Sequence, residues 1–216
     1  MIVERKWAMP NKNTFGIKPI KELILKYNSK NIISIDPFAN KNRIAKYCND
    51  LDPQYETEFN LDALDFLKQF RDNSIELVLF DPPYSPRQVS ECYKKLDKTV
   101  NSKTTSSAFW GDLKKEISRI TKKDSIVISC GWNSGGVGKK YGFKIEEILL
   151  VAHGGWHNDT IVTVEIKEDW MEKMKQSCYW VYPSLLEKVK KKCKAEGITV
   201  SEVIREALEL YCNNDM

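Results

Sequence analysis

Leu77-Val78-Leu79-Phe80-Asp81-Pro82-Pro83-Tyr84 decides the reading of this chain. Four consecutive apolar residues read as a short strand buried on both faces. Asp81 follows with no polar spacer, so a carboxylate stands at the end of an apolar layer. The paired prolines cannot extend a sheet ladder, and they stiffen the turn. The Pro82 carbonyl is left to accept a hydrogen bond, and Tyr84 adds a flat ring. A carboxylate, a carbonyl and an aromatic face at one strand end suit a flat molecule that carries N–H donors.

Outward from this stretch, short apolar strands alternate with helical patterns. Towards the N-terminus, Pro19 sits near the first turn of a helix on which Ile20, Leu23, Ile24 and Tyr27 share a face. Residues 32–35 read as a buried strand ending at Asp36-Pro37, and residues 61–70 as a helix with Leu61, Leu64 and Leu67 on one side. Towards the C-terminus, residues 112–120 form a helix with Leu113, Ile117 and Ile120 inward, and residues 126–129 another buried strand. Residues 147–153 and 160–166 read as two strands joined by a Gly-rich link, an antiparallel hairpin. The pattern predicts an α/β fold, a mostly parallel sheet covered on both faces.

A second unit follows. Residues 1–167 form the first domain, residues 168–176 a polar linker, and residues 177–216 a small module. Ser184-Leu185-Leu186-Glu187 and Thr199-Val200-Ser201-Glu202 both fit capping boxes, with Gly197 placed to end the first helix. Val200, Val203, Ile204, Ala207, Leu208 and Tyr211 form one apolar stripe. Ahead of Pro183, Cys178-Tyr179-Trp180-Val181-Tyr182 is aromatic and strand-like. One strand and two short helices cannot bury these faces alone, so a second copy is expected to cover them.

Composition narrows the classes. The chain has 216 residues, 42% of them hydrophobic, and a net charge of +4, which permits nucleic-acid contact without requiring it. Residues 167–216 hold equal numbers of acidic and basic side chains, so the excess lies in the first domain. Six dispersed cysteines contain no C-x-x-C pair, so neither zinc nor a disulfide framework is expected. No stretch reaches the ~18 apolar residues of a membrane span, and the reading is a cytoplasmic protein without a membrane partner.

These residues carry two resemblances. Residues 7–167 resemble the small adenine-specific DNA methyltransferases often carried by phages and prophages. The matching runs are Trp7-Ala8-Met9-Pro10, Thr14 to Ile20, Ile35-Asp36-Pro37-Phe38-Ala39, Asp81 to Arg87, Gly131-Trp132-Asn133-Ser134 and His153 to Thr160. The resemblance implies a Rossmann-like seven-stranded methyltransferase sheet with an antiparallel final strand. It also implies S-adenosylmethionine as methyl donor and DNA as partner. In that chemistry Asp81 and the Pro82 carbonyl accept the two N–H bonds of a flipped adenine amino group, Pro83 holds the turn, and Tyr84 stacks on the base. The usual Gly-rich cofactor loop here reads Phe38-Ala39-Asn40-Lys41-Asn42. Residues 177–212 resemble ribbon-helix-helix dimers. The outward strand set Ser177, Tyr179 and Val181 lacks the arginines and lysines that commonly read guanine, so homodimerisation is expected ahead of sequence reading.

The implied cofactor contacts are Phe15, Pro19, Asp36, Phe38, Asp50, Asp62 and Ala63. Asp52 competes with Asp50 for the ribose, and Asp62 equally suits a helix N-cap. Arg87, Asn133, Lys139 and Lys140 are the expected nucleic-acid contacts, with residues 85–111 as the long insert available to touch DNA. Residues 131–140 look superficially like a phosphate loop, but Lys140 stands where Ser or Thr is required, so a flexible lip beside the target pocket is expected. His153 and His157 lack companions for a metal site. Two alternatives remain: an RNA or other-base amino methyltransferase, and a ribbon-helix-helix regulator whose methyltransferase domain is inactive.

Overall fold

A computed structural model describes residues 1–29, 32–102, 104–168 and 183–213. The chain divides into two compact units, Met1–Lys173 and Met174–Met216. The first is a seven-stranded sheet in the order β1-β6-β7-β5-β4-β2-β3. Its strands are β1 (Ile2–Trp7), β2 (Ser34–Asp36), β3 (Tyr47–Cys48), β4 (Ile75–Phe80), β5 (Thr121–Gly131), β6 (Phe143–Ala152) and β7 (Thr160–Lys167). Neighbours are parallel except at β7, which runs antiparallel to both β5 and β6. The fold is therefore the Rossmann-like methyltransferase sheet with a reversed final strand.

Because side chains alternate across a strand, β4 and β5 feed two cores. Leu77, Leu79 and Ile128 pack under α1 (Lys18–Tyr27) with Ile20 and Ile24. Val78, Phe80 and Val127 pack on the other face with Phe66 of α2 (Ala63–Leu67) and Leu113 and Ile117 of α4 (Ser107–Ile120). Glu147, buried on β6, accepts Lys26 Nζ at 2.6 Å and Tyr27 Oη at 2.7 Å, tying the end of α1 to the sheet.

Several elements differ from the sequence expectation. β1 carries no pattern in the sequence, because all six of its residues are exposed and none alternates into a core; it exists through its parallel pairing with β6. β5 and α4 are longer than the expected strand over 126–129 and helix over 112–120. The helix expected over residues 61–70 is shorter, starting after its Asp62 cap and ending at Leu67. The insert contains α3 (Pro86–Lys95), capped by Ser85 and started by Pro86.

In the second unit α5 (Pro183–Glu196) and α6 (Val200–Asn213) are both helical. The second capping box is reciprocal: Glu202 N–H donates to Thr199 Oγ1 at 3.2 Å and Thr199 N–H to Glu202 Oε2 at 2.6 Å. Gly197 has φ +69° and ends α5. Leu185, Leu208 and Leu210 are exposed. The strand expected at 178–182 lies outside the described residues. Among the described residues, no helix is long and apolar enough to cross a membrane.

Candidate active site

The parallel strands end on one side of the sheet, where open α/β sheets form their crevice. β4 delivers Asp81-Pro82-Pro83-Tyr84 there. The turn is held on three sides. Trp110 Nε1–H donates to the Pro83 carbonyl at 2.9 Å, Tyr84 N–H donates to Gln88 Oε1 at 2.6 Å, and Tyr84 Oη–H donates to Asp81 Oδ1. Burial pushes the Asp81 carboxyl above the ordinary aspartate range, against the hydrogen bonds from Tyr84 and Thr14, which pull it down. Burial likewise raises the Tyr84 phenol.

A cavity of about 330 Å³ lies on one side of the turn. It brings together Asp81, Pro82, Pro83 and Tyr84 with Phe38, Asp50, Asp62 and Ala63. Asp50 accepts two backbone N–H bonds, from Asn40 at 2.8 Å and Asp52 at 2.9 Å, and burial raises its carboxyl. Asp52 also lines the cavity, but it is paired with Lys95 at 2.8 Å, which holds its carboxyl low. Asp62 caps α2 through Leu64 N–H and also accepts the Tyr93 hydroxyl. Asn40 has φ +49°, the left-handed conformation glycine usually supplies and asparagine tolerates, so the loop keeps its shape without glycine.

Three residues named for the cofactor do not line this cavity. Phe15 and Pro19 are buried, and the Phe15 ring joins the core under α1. A residue at the hinge of the 3-10 turn Thr14–Gly16 cannot fill the core and face the cavity at once; Asn13 and Thr14 take the cavity side. Asp36 is wholly buried at the end of β2, accepting Phe38 N–H at 3.0 Å, and burial raises its carboxyl well above normal. Sequence reasoning missed Asn13, Thr14, Tyr93 and Lys95. The insert lines the cavity through Gln88, Cys92, Tyr93, Lys95 and Leu96.

A second cavity of about 140 Å³ opens on the other side of the same turn. Pro82, Pro83 and Tyr84 line both. Its other walls are Phe80, Trp110 and Lys114 on the helix side, Ser129 and Thr163 on the sheet, and Trp132 and Asn133 at the rim. Trp132 meets Tyr84 edge-on, with centroids 5.5 Å apart. The loop after β5 is anchored: the buried Glu165 carboxylate accepts Val137 N–H at 2.7 Å and Gly138 N–H at 2.8 Å. Gly136, at φ +48°, leaves room for that carboxylate, since a Cβ there would fall 2.2 Å from Oε2. Arg87, Lys139 and Lys140 line neither cavity; all three are exposed, Arg87 pairing with Glu91 at 2.7 Å and Lys140 lying over the Tyr141 ring.

His153 is buried, with Nδ1 at 2.8 Å from the Ala8 carbonyl and Nε2 at 2.8 Å from Thr160 Oγ1; it joins the ends of β1 and β7. Among the described residues, no group of three or more His, Cys, Asp or Glu is placed to hold a metal ion.

Residues 182–214 match the family model "Ribbon-helix-helix protein, copG family". No curated protein matches the chain. Among solved structures, TrmN from Thermus thermophilus is 15% identical with TM-score 0.47; the match covers 70% of this chain and 49% of that one, so this chain spans about half its length. The Burkholderia thailandensis 1,6-didemethyltoxoflavin-N1-methyltransferase, solved with 1,6-didemethyltoxoflavin and S-adenosylhomocysteine, is 9% identical with TM-score 0.50, over 70% of this chain and 78% of that one. The likeness to the Burkholderia enzyme is one of fold alone.

The Glu165 anchor is open to test. Gly136→Ala, at φ +48°, adds to the left-handed strain a methyl group driven into the carboxylate, which breaks its two backbone bonds, an expected loss in urea unfolding of about 1–3 kcal/mol beyond the strain itself. Gly155→Ala, at φ +58° with nothing within 4 Å of the added Cβ, should cost only the left-handed strain of about 1–2 kcal/mol. Equal losses would remove the anchor.

Proposed function

We propose that the first unit is a DNA N6-adenine methyltransferase that uses S-adenosylmethionine. The observation that carries this reading is that one Asp-Pro-Pro-Tyr turn forms the common wall of two cavities. A methyl donor and an acceptor base must meet across such a wall.

The larger cavity suits the donor. Its acceptors, Asp50, Asp62 and Asn13, match the hydroxyl and amino donors of the cofactor. Asn13 Oδ1 is buried without a partner, an acceptor awaiting an N–H. Asp50 is preferred over Asp52 for the ribose, because Asp52 is neutralised by Lys95. Phe38 and Ala63 supply the apolar walls. The Burkholderia enzyme of this fold binds S-adenosylhomocysteine, which accords with this donor. S-adenosylmethionine supplies an electrophilic methyl group.

The smaller cavity suits the acceptor. A flipped adenine lies against the Tyr84 ring, and Asp81 and the Pro82 carbonyl accept its amino hydrogens. Those two bonds favour a tetrahedral nitrogen whose lone pair points across the wall. Catalysis is positioning and electrostatics rather than a covalent intermediate.

Asp81→Ala should keep cofactor binding by calorimetry yet lower methyl transfer to unmethylated genomic DNA by on the order of 10²–10³. Mass spectrometry of the digested nucleosides identifies the base. Transfer at the wild-type rate, or to cytosine, refutes the assignment.

The acid side of the pH profile gives a second check. Asp81 must be ionised to accept N–H bonds, and burial already raises its pKa. The Tyr84 hydroxyl opposes that rise. Tyr84→Phe keeps the ring but removes the opposing bond, so the carboxyl pKa rises further. The acidic limb of kcat/KM should therefore move to higher pH. A limb that stays put, or moves down, refutes the role of Asp81.

The second unit is read as a dimerisation module. Leu185, Leu208 and Leu210 stand exposed on helices that a ribbon-helix-helix partner would cover. Obligate interfaces commonly bury ~2,000 Å² or more. Light scattering should find the full chain dimeric at micromolar concentration and a chain ending at Lys167 monomeric. A monomeric full chain defeats this reading.

A further inference from the structure

Among the described residues, four buried side-chain polar atoms have no hydrogen-bond partner, and two of them, Ser129 Oγ and Thr163 Oγ1, belong to residues that line the smaller cavity. Ser129 is 4% exposed and Thr163 1%. They are direct cross-strand partners in the β5–β7 ladder, with Phe80 of β4 next in the same row. Their hydroxyls therefore stand side by side on the sheet face that α4 covers. The neighbours of Ser129 and Thr163 in sequence, Ile128, Cys130, Val162 and Val164, point to the opposite core. A buried hydroxyl without a partner destabilises a fold, and alanine or valine would fill these places without that cost.

Two such groups side by side on a cavity floor are accounted for by a ligand that accepts from them. Lys114 adds a third donor. It lies one helical turn after Trp110 on α4, lines the same cavity, and can only donate. Pro82, on the wall shared with the larger cavity, has no N–H and can offer only its carbonyl. The cavity thus has acceptor chemistry at the Pro82 wall, behind which Asp81 faces the larger cavity, and donor chemistry at the sheet floor, with Phe80, Tyr84, Trp110 and Trp132 around them. That polarity matches a flat heterocycle whose exocyclic amine donates to the wall and whose ring nitrogens, on the edges flanking that amine, accept from the floor.

We propose that Ser129, Thr163 and Lys114 bind the ring nitrogens of the target base, and that this donor floor selects the base by its ring edge. The proposal rests on the methyltransferase reading only for which cavity receives the base. The Asp81-Pro82 acceptors fit any amino heterocycle, whereas donors on the floor reject a ring that lacks nitrogen at the facing edge.

The test uses the full-length protein and free bases, so it does not require a known recognition sequence. Saturation-transfer NMR and competition titrations would compare adenine, 1-deazaadenine and 7-deazaadenine on wild type, on Ser129→Ala/Thr163→Val, and on Lys114→Met. Wild type should bind adenine more tightly than at least one deaza analogue by tenfold or more. The double variant should bind adenine at least tenfold more weakly than wild type and lose that discrimination. Its thermal unfolding midpoint should match or exceed that of wild type, because only unpartnered hydroxyls are removed; a purely structural role predicts a fall. Lys114→Met, on a side chain that is only partly buried, keeps the test available if the double variant folds poorly, with the same expected weakening. Adenine binding unchanged in the variants, or no adenine binding to wild type at millimolar concentration, overturns the proposal. Nucleoside analysis of treated genomic DNA separates the two readings. Wild type that binds adenine through this floor but methylates no DNA keeps the inference and loses the DNA assignment. Variants that methylate DNA at the wild-type rate keep the assignment and lose the inference.

Discussion

The bond from Trp110 Nε1–H to the Pro83 carbonyl is the contact on which the arrangement depends. It fixes a turn that the prolines have already stiffened, and it comes from α4, the helix that covers one face of the sheet. Because Pro82, Pro83 and Tyr84 line both cavities, any shift of this turn changes both at once. Gln88 holds Tyr84 from the other side through the Tyr84 N–H. The wall is thus held by α4 and α3 together. For a transfer that must bring two molecules into line, a wall held in this way reduces the entropy of alignment.

Burial at the strand ends adds a second constraint. Asp36, Asp50 and Asp81 gather at the ends of β2, β3 and β4, and each has its carboxyl raised by burial, with Asp36 further raised by the charges of the other two. Backbone N–H groups offset this in part: Phe38 for Asp36, and Asn40 and Asp52 for Asp50. Arg43 and Lys95 add a smaller offset, at Asp36 and Asp50 respectively.

The sequence disclosed those parts of the fold whose residues face a core. β4, α1, β5 and the β6–β7 hairpin carry apolar runs or stripes, and each is present at or near its expected place. β1 was illegible because Ile2-Val3-Glu4-Arg5-Lys6-Trp7 is exposed throughout and is fixed only by its partner strand. Asp81 to Tyr84 stand at the end of β4, where their pattern puts them, and Phe38, Asp50, Asp62 and Ala63 share their cavity. Phe15 was expected beside the cofactor and its ring lies in the core, since an aromatic beside a site and an aromatic in the core look alike in one dimension. Ser129, Thr163 and Glu165 did leave a signal: polar residues at alternate positions within apolar strands, all on one face. The meaning of that signal depends on which strands are neighbours, and the insertion of β7 between β5 and β6 is a long-range property.

That insertion also explains how one strand serves two purposes. Reversal of β7 sets Thr163 across from Ser129 and Glu165 across from Val127. The first pair forms the floor of the smaller cavity. Two residues further along the same face, Glu165 reaches the backbone of Val137 and Gly138 and anchors the loop that carries Trp132 and Asn133 to the rim. The loop that resembled a phosphate cradle therefore has its backbone donors turned inward to a protein carboxylate. Its N–H groups at Val137 and Gly138 are already used, so the loop builds a cavity rim rather than an anion site. The net charge of the chain lies in residues 1–166, so long-range attraction to a polyanion belongs to the unit that holds both cavities. The neutral C-terminal module contributes little to that field.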